Sequence, residues 1–85
     1  GGGGGSTIVV QDFAFSPSSL DVSAGEVTLT VTNEDSAEHT FTLDDGSSDT
    51  DLPPGETVEV TLDLSSTVGF HCELHPSMTG TLNVG

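Results

Sequence analysis

Phe70-His71-Cys72-Glu73-Leu74-His75-Pro76-Ser77-Met78-Thr79-Gly80 holds the only cysteine of the chain, its only methionine and two of its three histidines. Cys72, His75 and Met78 stand at i, i+3 and i+6, which gathers a thiolate, an imidazole and a thioether into one tight loop. Structural zinc sites are built from Cys and His, and no second cysteine is available here. A trigonal pair of histidines and a cysteine, with a weak axial methionine, is instead a ligand set that copper uses for electron transfer. The loop supplies all of it except one histidine, and His39 is the residue left to complete it.

Outward from this loop the chain alternates with the period of two expected of half-buried strands. Val68, Phe70 and Cys72 share one face as the chain enters the loop, and Leu82 and Val84 share one as it leaves. His39, Phe41 and Leu43 have one parity, with Thr40 and Thr42 on the other. Val27, Leu29 and Val31 alternate with threonines, and Val58, Val60, Leu62 and Leu64 with polar residues. Phe13 and Phe15 alternate around Ala14, and Leu20 and Val22 around Asp21. Residues 44–51 read as a polar acidic loop closed by Pro53-Pro54-Gly55. Turn residues recur every eight to twelve positions, so the fold class is all-β, an antiparallel sandwich of two sheets with seven or eight short strands. Parity then turns His39 and Cys72 inward from different strands at one end of the sandwich.

Eighty-five residues make a single domain with a modest core. Residues 1–6, Gly-Gly-Gly-Gly-Gly-Ser, have the composition of a flexible linker, tag or surface tether, which leaves 7–85 as the folded domain. One cysteine excludes an intrachain disulfide, and no run of eighteen apolar residues is present to span a membrane. Fourteen acidic residues against no Lys or Arg give a formal charge of −14. Nothing on the chain neutralises a phosphate, so nucleic acid is not a partner. The acids must stand mostly in water, and partners with basic surfaces are favoured. The acidic run in 44–51 lacks the spacing and the glutamate of a calcium-binding EF-hand loop.

These motifs resemble those of the cupredoxins, the small copper proteins that include the plastocyanins, amicyanins and halocyanins. The resemblance runs from Thr7 to Val84. It is carried by Cys72-x-x-His75-x-x-Met78 with Thr79-Gly80-Thr81-Leu82, by Phe13-x-Phe15-x-Pro17, and by Val31-x-Asn33-x-Asp35 ahead of His39-Thr40-Phe41. The short Cys-to-Met spacing is similar to that of amicyanins. The resemblance implies a Greek-key sandwich and copper ligands His39, Cys72, His75 and Met78. It also implies single-electron exchange through the edge of His75 and a periplasmic, extracellular or cell-surface location. Many relatives have Asn after the first histidine, where this chain has Thr40. Amicyanin-like loops often carry proline where this chain has Leu74, whose amide is thereby available to the thiolate. His71 has the parity of a solvated side chain, although a histidine in that position holds a second copper in the nitrite reductases.

The expected function is therefore that of a mononuclear copper protein shuttling single electrons between redox protein partners. It is not read as an enzyme, because four ligands leave no open position for substrate and no catalytic triad or carboxylate dyad stands out. Two other readings stay open at this stage: a protein that binds and delivers copper, and a surface interaction module of the same fold.

Overall fold

The computed structural model describes residues 6–85, and the linker expected over residues 1–5 lies outside them. Ser6, expected to end that linker, is the first residue of β1 and is paired with Leu29. Nine strands follow in order: β1 Ser6–Gln11, β2 Ala14–Ser16, β3 Ser19–Val22, β4 Gly25–Asn33, β5 His39–Leu43, β6 Asp49–Leu52, β7 Thr57–Leu64, β8 Val68–His71 and β9 Thr79–Val84. They form two sheets, ordered β2-β1-β4-β7 and β3-β9-β8-β5-β6.

The long pair β4 and β7 shows why the sequence folds this way. Its antiparallel register places Val27 beside Leu62, Leu29 beside Val60 and Val31 beside Val58, so the apolar parities of both strands fall on one face. The other face carries threonine pairs, with the Thr32 and Thr57 hydroxyls 2.9 Å apart. From the facing sheet come Phe41, Leu43, Leu52, Phe70 and Leu82, all buried. Phe15 of β2 packs edge-on to Phe70 at 4.9 Å between centroids, and Phe41 lies 4.7 Å from Phe70. This aromatic cluster sits two residues along from His39 in β5 and from Cys72 beyond β8, so the ligand-bearing strand ends rise from rigid core.

The sandwich is observed, but its sheets are mixed rather than antiparallel throughout. β1 runs parallel to β4, and β3 parallel to β9, as chain crossovers between the sheets place them. Alternation specifies which face is buried and leaves the choice of neighbour open. The expected acidic loop over 44–51 is also shorter. Asp49–Leu52 forms the edge strand β6, anchored by fully buried Leu52 while Asp49 and Asp51 face water. Charges outward on an edge strand oppose pairing with another chain, which accounts for a strand sequence of low β-propensity.

Gly80 in β9 is required by packing. A Cβ there would meet the Phe70 ring and lie 2.6 Å from the Ser18 carbonyl oxygen. Gly80→Ala is expected to lower stability by about 1–3 kcal/mol, read as a reduced denaturant midpoint at unchanged slope.

Candidate metal centre

His39 opens β5, Cys72 follows β8, and the loop returns through His75 and Met78 to β9. His39 and Cys72 are both fully buried, and β5 is buried on both faces, so that Thr40 and Thr42 of the opposite parity are buried as well. Backbone bonds close the loop tightly. Met78 donates its amide to the His75 carbonyl at 2.9 Å, and Cys72 donates to the Met78 carbonyl at 3.1 Å. The Met78 side chain is buried with the core, and His75 is partly exposed.

Three atoms converge at this pole. The Nδ1 atoms of His39 and His75 are 3.2 Å apart, and Cys72 Sγ lies 3.7 and 3.8 Å from them. A point equidistant from the corners of this triangle is about 2.1 Å from each, within the range of ordinary metal–imidazole and metal–thiolate bonds. His39, Cys72 and His75 are the set of His, Cys and acidic side chains grouped closely enough to hold one ion among the described residues. No carboxylate is among them, so the donor set is soft and suits copper or zinc rather than calcium or magnesium.

Asp35 fixes the His39 ring. Its Oδ2 accepts from His39 Nε2 at 2.9 Å, which puts the proton on Nε2 and leaves the Nδ1 lone pair facing Cys72 and His75. The same carboxylate accepts the amides of Asp12 at 2.8 Å and Phe13 at 2.9 Å. These contacts, the Phe13 amide first, hold the Asp35 carboxyl below its ordinary value, and the bond from His39 adds to the effect. Asp35 is itself placed by the fully buried Asn33, whose side chain bonds Ala37 and Leu52 carbonyls and accepts the Asp35 amide at 2.9 Å.

Asp12 and Phe13 form the two-residue tip of the β1–β2 hairpin, with φ of 54° and 58°. Such turns need positive φ at both positions and favour Asn-Gly, so an aromatic residue there is strained. Phe13 was expected within a strand. The tip instead stands it over the site, its ring edge-on to His39 at 5.1 Å and to His75 at 4.9 Å. Phe13 and Leu74, both about half exposed, are the large apolar side chains that reach solvent among the described residues.

On the cysteine side the amide aimed at Sγ is that of Thr40, at 3.3 Å. The structure thus gives this role to Thr40 and not to Leu74. The Thr40 hydroxyl accepts the Glu73 amide at 2.8 Å, bracing the loop one residue beyond the thiol. His71, expected to be solvated, is only partly exposed and lies between two carboxylates. One ring nitrogen faces Asp44 and the other faces Glu73 at 2.6 Å. Two donated bonds require the imidazolium, and the pKa is accordingly raised, by Asp44 most and then by Glu73.

Sequence reasoning located every residue of the triangle and missed Asp35 and Phe13. Asp35 stands in the Val31-x-Asn33-x-Asp35 motif ahead of His39, but Asn33-Glu34-Asp35-Ser36 reads first as turn chemistry.

A family model described as a cupredoxin-like domain matches residues 5–84. The fold is similar to that of a purple cupredoxin from Nitrosopumilus maritimus, at 22% identity over 94% of this chain and 99% of that one, with a TM-score of 0.77. A Cu(I) form of an amicyanin variant is similar at 23% identity over 96% of this chain and 83% of that one, with a TM-score of 0.78. A copper-containing nitrite reductase from Thermus scotoductus matches at 23% identity over 94% of this chain but only 22% of that one, with a TM-score of 0.76. A sequence comparison with curated proteins finds no match.

Proposed function

The chain belongs to the cupredoxin-like family, and on that premise we propose that it is a mononuclear copper protein that exchanges single electrons with redox proteins. The convergence of His39 Nδ1, His75 Nδ1 and Cys72 Sγ carries this reading. Copper held there supplies a one-electron Cu(II)/Cu(I) couple. His39, Cys72 and His75 would hold it as the strong ligands, with Met78 as a weaker fourth.

The chain's own residues prepare the site for that exchange. Asp35 holds the His39 tautomer, and the Thr40 amide donates to the sulfur and stabilises its negative charge. His39 and Cys72 are sealed from water, while His75, packed against Phe13, reaches the surface in the loop that also exposes Leu74. The His75 edge is thus the route between the buried ligands and a partner, and the surrounding apolar rim suits brief docking. A set of four ligands, His39 from β5 and the others from the loop between β8 and β9, would leave no open position for substrate. Burial of the ligands also favours retention of the ion over its delivery.

With fourteen acids and no Lys or Arg, the partners are proteins with basic docking surfaces, met in a periplasmic, extracellular or cell-surface setting. Among the described residues no helix is long and apolar enough to cross a membrane. Residues 1–5 have the composition of a linker or tether to the domain.

Stopped-flow oxidation of the reduced protein by a basic redox protein tests this function. The second-order rate is expected to fall steeply as salt rises, since the screening length shrinks to ~8 Å at physiological ionic strength. Slow electron exchange together with ready loss of Cu(I) to a chelator would identify a delivery protein instead.

A further inference from the structure

The Thr40 hydroxyl that braces the loop is itself held in a chain of hydrogen bonds leading away from the site. It lies 3.0 Å from the Thr42 hydroxyl, which donates to Asp49 Oδ1 at 2.8 Å. Thr40 and Thr42 are buried on the outer face of β5, and Asp49 is the cross-strand partner of Thr42 at the start of β6. The direction of the chain is fixed from its far end. A carboxylate only accepts, so the Thr42 proton points to Asp49. Thr42 must then accept from Thr40, and the Thr40 oxygen is left to accept the Glu73 amide at 2.8 Å.

We propose that Asp49 is a positioning residue for the metal-binding loop, acting through Thr42 and Thr40 on the Cys72–Glu73 peptide. Each hydroxyl has one proton, and Asp49 decides where both protons go. Without that acceptor the Thr40 proton is free to turn towards Glu73, where it opposes the amide it now receives. Chains of this kind strengthen each member bond, so the effect of Asp49 is felt three bonds away. Asp49 itself is exposed and touches no ligand, so its replacement leaves the core intact.

The description of the loop as metal-binding rests on the function proposed above, so the test is made on metal-free protein and stands if that function fails. Amide hydrogen exchange is measured at Glu73, with Val31 in β4 as the reference for global stability. Asp49→Ala and Thr42→Val are each expected to speed Glu73 exchange by roughly 5–10-fold, the equivalent of one hydrogen bond, with Val31 unchanged. Because both act through one chain, the double variant is expected to match the single ones. Asp49→Asn retains a carbonyl acceptor without the charge and is expected to stay within about twofold of the parent protein. Unchanged Glu73 exchange in Asp49→Ala would overturn the proposal. So would additive effects in the double variant, or an Asp49→Asn protein as fast as Asp49→Ala, which would make Asp49 a source of charge alone.

Discussion

Cys72→Ser is expected to abolish the intense thiolate-to-copper absorption and to leave the sandwich folded. Cys72 is the only sulfur of the chain that ionises, and its Sγ faces both imidazole nitrogens at less than 4 Å. Serine is close to cysteine in size and presents an oxygen that accepts the Thr40 amide, so the buried donor is not stranded. What is lost is the covalent, polarisable bond from which the band arises. Visible absorption after addition of Cu(II), with circular dichroism as the check on folding, reads the outcome. A serine variant that remains intensely coloured would mean that Cys72 is not a ligand.

Asp35→Ala is expected to produce the largest effect of any residue outside the ligand set. It strands the His39 Nε2–H inside a fully buried side chain and removes the acceptor of both amides at the hairpin tip. The His39 ring then has no fixed tautomer, and the positive-φ residues Asp12 and Phe13 lose the contact that holds them. Losing a ligand's hydrogen-bond partner typically weakens metal binding by about 10–100-fold, and copper affinity measured by chelator competition should fall in that range. The metal-free protein should also melt at a lower temperature. The depressed Asp35 pKa gives this contribution its pH window. It is present above the ordinary carboxyl value of 3.8 and is lost as pH falls through the lower folded value. The parent protein should therefore approach the Asp35→Ala variant in stability at strongly acid pH. Copper affinity unchanged by the substitution would show that His39 needs no orienting partner.

Parity made His39 and Cys72 legible in the sequence, because a period of two on strands ending at one pole leaves few ways to point a side chain. Spacing made the loop legible, since Cys72, His75 and Met78 lie too close together for their chemistry to be dispersed. The parallel pairing of β1 with β4 and of β3 with β9 was not legible, because neighbours are chosen by crossovers and not by alternation. Strand β6 was hidden by two aspartates that suit an edge and look like a loop.

The residues around the triangle were harder to read for a different reason. Asp35 and Phe13 act across 22 positions of sequence, through a hydrogen bond from the Phe13 amide to the Asp35 carboxylate that forms only once the hairpin tip has folded onto the turn before β5. Thr40, read as a departure from the Asn of many relatives, donates through its backbone amide to sulfur, which any residue except proline supplies there. Its side chain braces Glu73 and extends to Asp49, a connection that depends on the same hidden strand β6.

The most direct measurement is a titration of the metal-free protein with Cu(II), followed in the visible range. An intense thiolate-to-copper band that rises linearly and saturates at one equivalent per chain is the result expected of a buried centre formed by His39, Cys72, His75 and Met78. A protein that stays colourless, or shows only the weak absorption of copper bound by surface nitrogen and oxygen atoms, would contradict it.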